Sequence, residues 1–371
     1  MRLVPIYAIK DGAFLAQNLY NENGQILLSK GVKINERYKK KIKEHGFSMV
    51  YILDEYSQNE IEDVIKPEIR QKMVQTIRST FNTLTEFNYQ NANAYKKDKL
   101  AENVSKNIEA IQDIANNIVE EICSQRNIMI SLVDIKNSDS YTYRHSVNVG
   151  ILSLVLGISY ELNKNDLCDL VMGSILHDIG KVFIPNEILM KKGKLTPEEF
   201  QIIQEHPARG FHYLKDYSNL NAKARIIVLQ HQERIDGSGY PYGLKGDQIY
   251  IFSKIAAVAD IYDALTSDRP YRSAVSPNEA VEFIMGAGGT YFDIDVVKAF
   301  AKKVIPYPIG TLVRLSNQSI GVIEKINDDF ILRPVVKIIR ENNKKVEPFL
   351  CDLKYESNII IEGIVYDLHE D

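Results

Sequence analysis

The pattern of apolar and polar positions divides the chain into three segments, and the first is residues 1–62. Short β-like runs alternate with turn signals up to about residue 28, and a lysine-rich stretch that follows Asn35 predicts a helix with that asparagine as its N-cap. One further strand is expected at 49–53. A polar, acidic stretch around 56–65 marks the boundary. The segment is therefore predicted to be a small α/β module.

Residues 63–305 form the second segment, in which apolar residues recur with the period of a helix. The stretch 147–158 is apolar almost all round, which predicts a helix at the centre of a bundle. Another stripe has the three- and four-residue steps of one helix face: Ile111, Ile114, Ile118 and Ile122. This stripe predicts either packing onto the chain's own core or the seam of a homodimer.

After residue 306 the period changes from that of a helix to that of a strand. Strands are predicted at 311–315, 319–326, 331–339, 346–353 and 358–365. Residues 306–371 are therefore predicted to be an antiparallel β appendage. Together the three segments indicate a mainly α protein, with a helical bundle between a small N-terminal α/β module and this appendage.

Composition changes this picture by excluding several classes of protein. The 371 residues are 45% hydrophobic and 25% charged, which is ordinary for a globular chain. A net charge of −4 offers no overall attraction to nucleic acid. No apolar run is long enough to span a bilayer, the N-terminus lacks the features of a signal peptide, and the three cysteines have no metal-type spacing. We expect a cytoplasmic protein without a nucleic-acid or membrane partner.

The histidines carry the candidate chemistry. Four of the seven lie about thirty residues apart within the helical segment: His145, His177, His206 and His231. A metal site in a helical bundle is built in this way, from side chains on different helices that converge. Asp260 lies on an apolar stretch, where burying an unpaired charge would be costly and a metal ion would relieve that cost. Each histidine taken singly is more typical of a core position than of a metal ligand, but the set favours a metal site.

The pair His177-Asp178 is the sharpest local feature. Adjacent residues of a helix point about 100° apart, so an imidazole and a carboxylate can hold one metal ion from two sides. The second carboxylate oxygen can then reach a neighbouring ion. Gly180 ends the helix, and Lys181 returns to the face of His177.

These residues, in this order, resemble the HD-GYP family of metal-dependent phosphodiesterases, a branch of the HD superfamily that acts on cyclic di-GMP. The resemblance covers roughly residues 125–305. It rests on five elements: 144–146 (RHS), 177–181 (HDIGK), 206–207 (HP), 233–241 (ERIDGSGYP) and 260–272 (DIYDALTSDRPYR). The resemblance implies an HD-type helical bundle and an enzyme that hydrolyses phosphodiesters.

The resemblance also implies roles for individual residues. One metal ion would be held by four side chains: His145, His177, Asp178 and Asp260. The second would share Asp178 and add His206 and His231. Both ions are expected to be iron or manganese, although the same ligand types also accept zinc or nickel. A hydroxide between them would attack phosphorus, with Asp178 and Lys181 as catalytic residues. The implied substrate-binding residues are Lys181, Gly239, Tyr240, Pro241, Arg269 and Arg272, with guanidinium groups on phosphate and the tyrosine ring on guanine.

Two positions depart from the family pattern. Gln232 stands where the family usually has a second histidine, which makes it a further candidate ligand, but a weaker one. Tyr141 stands where some members have a glutamate that is associated with a third metal. We therefore expect a two-metal enzyme that converts cyclic di-GMP to pGpG and, if hydrolysis continues, to GMP. The alternatives are a catalytically weak cyclic di-GMP sensor, an HD hydrolase of another phosphoester and dimetal oxygenation chemistry.

Overall fold

The computed structural model describes residues 1–21, 25–45, 47, 49–54, 65, 67–89, 94–124, 141–191, 193–215, 220–267, 275–327 and 330–366. These residues form two compact units. The first contains the described residues of Met1–Asp63, Ser131–Tyr141 and Val304–Asp371, and the second those of Val64–Ile130 and Thr142–Lys303. The mainly α fold with a small N-terminal sheet and a C-terminal antiparallel sheet is confirmed. The division at 62 and 305 into three domains stays a prediction.

The N-terminal part of the first unit packs one helix against short strands. Asn35 begins the helix, because its side chain accepts a hydrogen bond from the backbone N–H of Tyr38 at 2.9 Å. Ile42 is the inward residue of this lysine-rich helix and is 1% exposed. The strands pair in the order β1-β5-β2, with β3 and β4 as a separate pair. The elements are β1 (Arg2–Pro5), β2 (Phe14–Leu15), β3 (Leu19–Tyr20), β4 (Ile26–Leu28), α1 (Glu36–Glu44) and β5 (Met49–Leu53).

The C-terminal part of the first unit is the predicted antiparallel sheet, with strand order β10-β6-β7-β8-β9. Val336 and Ile338 point into its core, as the period of two requires. Arg2 joins this part to the N-terminal part, because its guanidinium donates to Asp54 at 2.7 Å and to the backbone carbonyl of Tyr366 at 3.1 Å. The strands are β6 (Leu312–Leu315), β7 (Ile320–Lys325), β8 (Val335–Glu341), β9 (Lys344–Asp352) and β10 (Ile361–Ile364).

The second unit is helical. Its α-helices are α2 (Pro67–Tyr89), α3 (Ala94–Cys123), α4 (Tyr141–Ser159), α5 (Lys164–Leu176), α6 (Asn186–Leu189), α7 (Pro197–Gln204), α8 (His206–Leu214), α9 (Ala222–Gln230), α10 (Ile251–Thr266), α11 (Pro277–Gly286) and α12 (Ile294–Lys303). Every residue from 145 to 157 is buried, so α4 has the central place that its apolar sequence predicts. Among the described residues, no helix combines the length and the apolar composition needed to cross a membrane.

The isoleucine stripe on α3 is buried inside this unit. Ile111 and Ile118 are each 1% exposed and Ile122 is fully buried, with α3 packed against α2 and α5. Burial within the chain accounts for the stripe without a second copy. A homodimer through this helix therefore stays a prediction.

Candidate metal centre

Asp178 lies at the centre of the candidate site. It follows His177 directly after the end of α5, and its side chain is 2% exposed. Its Oδ1 atom is 3.3 Å from His206 Nε2 and 3.8 Å from His231 Nε2. Its Oδ2 atom is 3.3 Å from His177 Nε2 and 3.8 Å from His145 Nε2. One buried carboxylate therefore faces four imidazoles.

Gly180 allows the backbone after Asp178 to lie close to the backbone of His206. The 3-10 turn Ile179–Phe183 lies against the start of α8, and a Cβ atom at Gly180 would be 1.9 Å from the carbonyl oxygen of His206. Only glycine allows such a close approach of two backbones. His206 is the first residue of α8, which follows the end of α7 at Gln204.

Three of the imidazoles are oriented in the same way. Each Nδ1 lies within hydrogen-bond distance of the backbone carbonyl three residues earlier: His177 to Ser174 (2.7 Å), His206 to Ile203 (2.8 Å) and His231 to Val228 (2.9 Å). A carbonyl only accepts, so Nδ1 carries the proton and Nε2 of the neutral ring keeps its lone pair. All three Nε2 lone pairs are therefore available to a metal ion, and this arrangement is typical of metal-ligating histidines.

The site fits a metal ion on two further observations. The Nε2 atoms of His206 and His231 are 3.1 Å apart, so two lone pairs face each other unless a cation lies at the site. His177 Nε2 and Asp178 Oδ1 are buried and make no hydrogen bond with any described residue. Burying such atoms unsatisfied is costly, and metal coordination removes that cost.

His145, on α4, is held differently. Its Nδ1 atom lies 2.7 Å from Asp263 Oδ2, and its Nε2 atom lies 3.1 Å from Asp260 Oδ1. Asp263 also accepts hydrogen bonds from Asn148 at 2.8 Å and from Ser267 at 3.2 Å. A carboxylate behind a ligating histidine fixes the ring and makes it more basic.

Burial and neighbouring charges shift the pKa values within the site. Burial alone would lower the pKa of His145, but its hydrogen bonds to the carboxylates of Asp260 and Asp263 raise it to about 9. Burial would raise the pKa of Asp260, but the hydrogen bond with His145 and the nearby ring of His177 lower it. The two groups therefore hold each other in their charged forms when no metal ion is bound.

The pKa values of His231 and Asp178 are both lowered. Burial and the neighbouring imidazoles of His177 and His206 lower the pKa of His231 well below its usual range. Burial would raise the pKa of Asp178, but the charge of Lys181 and the ring of His177 hold it well below its usual range. Lys181 Nζ lies 2.5 Å from Asp178 Oδ2 and is one-third exposed. His231 is thus neutral and Asp178 ionised at neutral pH, as metal ligands must be.

The ligand atoms form two overlapping groups, each with all of its atoms within 4.8 Å of one another. One group contains His145, His177 and Asp260, and the other contains His177, Asp178 and His231. His206 adjoins the second group through its contacts with Asp178 and His231. The structure thus brings together all six residues that the sequence singles out as firm candidate ligands. Gln232 also reaches the site, where its Nε2 atom donates to Asp260 Oδ2 at 2.8 Å.

The loop that contains Gly239, Tyr240 and Pro241 lies beside the site. The ring of Tyr240 is 6.2 Å, between centroids, from both His206 and Phe200, and meets both nearly edge to face. A Cβ atom at Gly239 would lie 2.4 Å from the backbone nitrogen of Arg234, so this position requires glycine. Two of the predicted substrate-binding residues, Arg269 and Arg272, lie outside the described residues.

The sequence alone assigned no role to two residues that support the site. Glu233 is 3% exposed and accepts backbone N–H groups of Tyr242 at 2.8 Å and Leu244 at 3.0 Å, which anchors the loop. No local pattern distinguishes this glutamate from a surface one. Asn148 is three residues after His145, on the same helical face, so helical spacing could have identified it.

Comparison with known proteins shows similarity to one domain family and to several phosphodiesterases. Residues 127–296 match the HD domain family. The chain is 40% identical over 234 residues to a cyclic di-GMP phosphodiesterase of Pseudomonas aeruginosa, covering 63% of this chain and 56% of that protein. It is 41% identical over 165 residues to a cyclic di-GMP phosphodiesterase of Thermotoga maritima, covering 44% of this chain and 45% of that protein. It is 39% identical over 166 residues to 3'3'-cGAMP-specific phosphodiesterase 1 of Vibrio cholerae, covering 45% of this chain and 38% of that protein. The chain thus spans about half the length of the curated relatives that it matches.

Proposed function

We propose, from the match of residues 127–296 to the HD domain family, that this chain is a metal-dependent phosphodiesterase that hydrolyses cyclic di-GMP to pGpG and, if hydrolysis continues, to GMP. The observation that carries the proposal is the convergence of four histidine Nε2 atoms on one buried carboxylate, Asp178. The names of the relatives from Pseudomonas and Thermotoga support the choice of substrate.

The two proposed ligand sets divide the site into two halves that share Asp178. One ion takes His145, His177, Asp178 and Asp260, and the second shares Asp178 and takes His206 and His231. The position of Asp178, with one oxygen directed to each half, supports its role as a bridge. Imidazole and carboxylate ligands suit iron or manganese, which we propose as the two divalent ions.

The chain's own residues would bind and orient the substrate. Two divalent ions, when bound, would lower the pKa of a water molecule at the site and offset the negative charge on the reacting phosphate. Lys181, which is partly exposed beside Asp178, can neutralise a phosphate oxygen or the leaving 3′ oxygen. Tyr240, on the loop with Gly239 and Pro241, offers an aromatic ring for a base. Two arginines are proposed to bind the phosphates: Arg269 and Arg272.

A second candidate substrate is a related cyclic dinucleotide. The relative from Vibrio that is named for 3'3'-cGAMP is 39% identical to this chain, almost the same value as the 41% of the Thermotoga relative. Identity alone therefore does not separate the two substrates. Both have the same phosphodiester ring, so the proposed chemistry at the metal centre is the same for either.

The cellular location of the enzyme is proposed from its composition. The net charge of −4 and the three scattered cysteines support a cytoplasmic enzyme that acts without nucleic acid. The three-domain division at residues 62 and 305 is likewise proposed, with the helical part as the catalytic domain.

The experiment that tests the proposed function uses the full chain, purified without oxygen. Its metal content is measured, and the protein is incubated with cyclic di-GMP or 3'3'-cGAMP together with manganese or ferrous iron. Chromatography is expected to show pGpG or GMP, and the variant Asp178→Ala should form neither. Faster turnover of 3'3'-cGAMP would reassign the substrate. Two bound metals and tight cyclic di-GMP binding without turnover would instead identify a sensor.

A further inference from the structure

Gln232 follows His231 at the end of α9 and lies beside the proposed metal ligands. Its Nε2 atom donates to Asp260 Oδ2 at 2.8 Å, across to α10. A carboxylate oxygen only accepts hydrogen bonds, so the amide nitrogen and not the amide oxygen must face it. The donor group of Gln232 is therefore engaged with a ligand and is not directed at a metal ion.

The two oxygens of Asp260 consequently have different surroundings. Oδ1 lies 3.1 Å from His145 Nε2, on the side where the ligand atoms converge. Oδ2 accepts the hydrogen bond from Gln232. Since a carboxylate can bind a metal ion through one oxygen or through both, the amide leaves Oδ1 for the metal and occupies Oδ2.

The opposite orientation of the amide is unfavourable here. If the side-chain oxygen of Gln232 bound a metal ion, the amide would have to turn away from Asp260. If it turned by half a rotation in place, two acceptor oxygens would lie at the 2.8 Å separation. The carboxylate of Asp178 lies in the same half of the site, so the loss of a donor to Asp260 would leave the like charges of the two aspartates less well balanced.

We infer that Gln232 is a positioning residue that holds Asp260 as a one-oxygen metal ligand and does not itself bind metal. The inference rests on the proposed metal site. In it, Gln232 fixes the orientation of the ligand Asp260 by a hydrogen bond and does not contact the metal ion. Loss of such a partner lowers metal affinity about 10–100-fold. The effect should fall on the ion held by His145 and Asp260, because the side chain of Gln232 donates to Asp260.

Gln232→Glu separates the two roles, because glutamate keeps the shape and the ligand oxygen but loses the N–H donor. We expect metal-free full chain of this variant, titrated with Mn²⁺ while free Mn²⁺ is followed by electron paramagnetic resonance, to bind one of two ions about 10–100-fold more weakly. Gln232→Ala should show the same loss. The second ion should bind as in the wild-type protein, which also shows that the variants are folded.

The matched control is Gln201→Glu, which adds the same charge at an exposed position on α7. It should bind both ions as the wild-type protein does. Equal or tighter Mn²⁺ binding by Gln232→Glu would show that residue 232 is a ligand and overturn the inference, while leaving the proposed function intact. A wild-type chain that takes up no Mn²⁺ would overturn both.

Discussion

The two halves of the candidate metal centre use the same side chain in opposite electrostatic settings. In one half, His206 and His231 donate to backbone carbonyls three residues earlier. In the other, His145 lies between two carboxylates, Asp260 and Asp263. A carbonyl leaves an imidazole neutral, whereas two carboxylates favour its protonated form. The pKa of His145 is accordingly raised to about 9, while that of His231 is lowered well below its usual range.

The halves also differ in how far their supporting groups extend. The carbonyl-held histidines depend on the geometry of their own helix ends. His145 depends on a longer series, in which Asp263 accepts from Asn148 and Asn148 accepts from Arg70 at 2.8 Å. Arg70 lies on α2. A metal ion in this half is therefore sensitive to the packing of several helices, and one in the other half is sensitive mainly to local backbone structure.

The largest effect is expected where the halves meet, at Asp178. Asp178→Ala should remove both ions and abolish hydrolysis, because one of its oxygens faces each half. Metal analysis of the purified variant checks this. Asp295→Ala, at an exposed position on α12, is the control and should keep both ions. Retention of two ions by Asp178→Ala would mean that the halves do not share this ligand.

A smaller effect, confined to one half, is expected from Asp263→Asn. The variant keeps an acceptor for His145 but loses the charge that makes the ring basic, so metal affinity in that half should fall about 10–100-fold. A metal titration followed by calorimetry should show one weakened site and one unchanged site. Equal weakening of both sites would contradict the division into halves.

Tyr240→Ala tests whether substrate approaches from the carbonyl-held half, because the ring lies beside His206. We expect substrate affinity to fall by about 1–3 kcal/mol if the ring stacks on a base. Binding is measured with metal-loaded protein, and Tyr355→Ala, at an exposed position in the first unit, is the control. Unchanged substrate affinity together with looser metal binding would assign Tyr240 to packing against His206.

The smallest expected effect is a difference in how the halves respond to pH in the metal-free protein. His145 has a folded-state pKa of about 9, above its unfolded value of about 6.5, so its stabilising contribution is complete below about pH 6.5 and is lost as the pH rises through 9. His231 has a lowered folded-state pKa, so its contribution is lost as the pH falls below about 6.5.

Melting temperatures of the chelator-treated protein between pH 5 and 10 measure both effects. His145→Gln should remove the alkaline decline, and His231→Gln should remove its part of the acidic decline. A loss of about 1 kcal/mol corresponds to roughly 2–4 °C for a domain of this size. If both variants changed the same limb of the curve, the two histidines would not have opposite shifts.

Much of the fold followed from local sequence. The change of period near residue 306 predicts the C-terminal sheet, and the cap at Asn35 correctly places the start of α1. The sequence did not predict the close approach of Gly180 to the backbone of His206, because this contact joins residues that are distant along the chain. A sequence pattern reports on neighbours within a turn or a strand, and it carries no signal for such contacts.

The sequence by itself determined the helical framework, the order of the histidines along it and the candidate ligands, because these depend on residue type and on spacing over a few positions. Only the tertiary structure decided that His145 is held by Asp263, 118 positions away, and that Gln232 donates to Asp260, 28 positions away. Helix packing sets these distances. They fix which nitrogen, which oxygen and which charge each ligand presents to a metal ion.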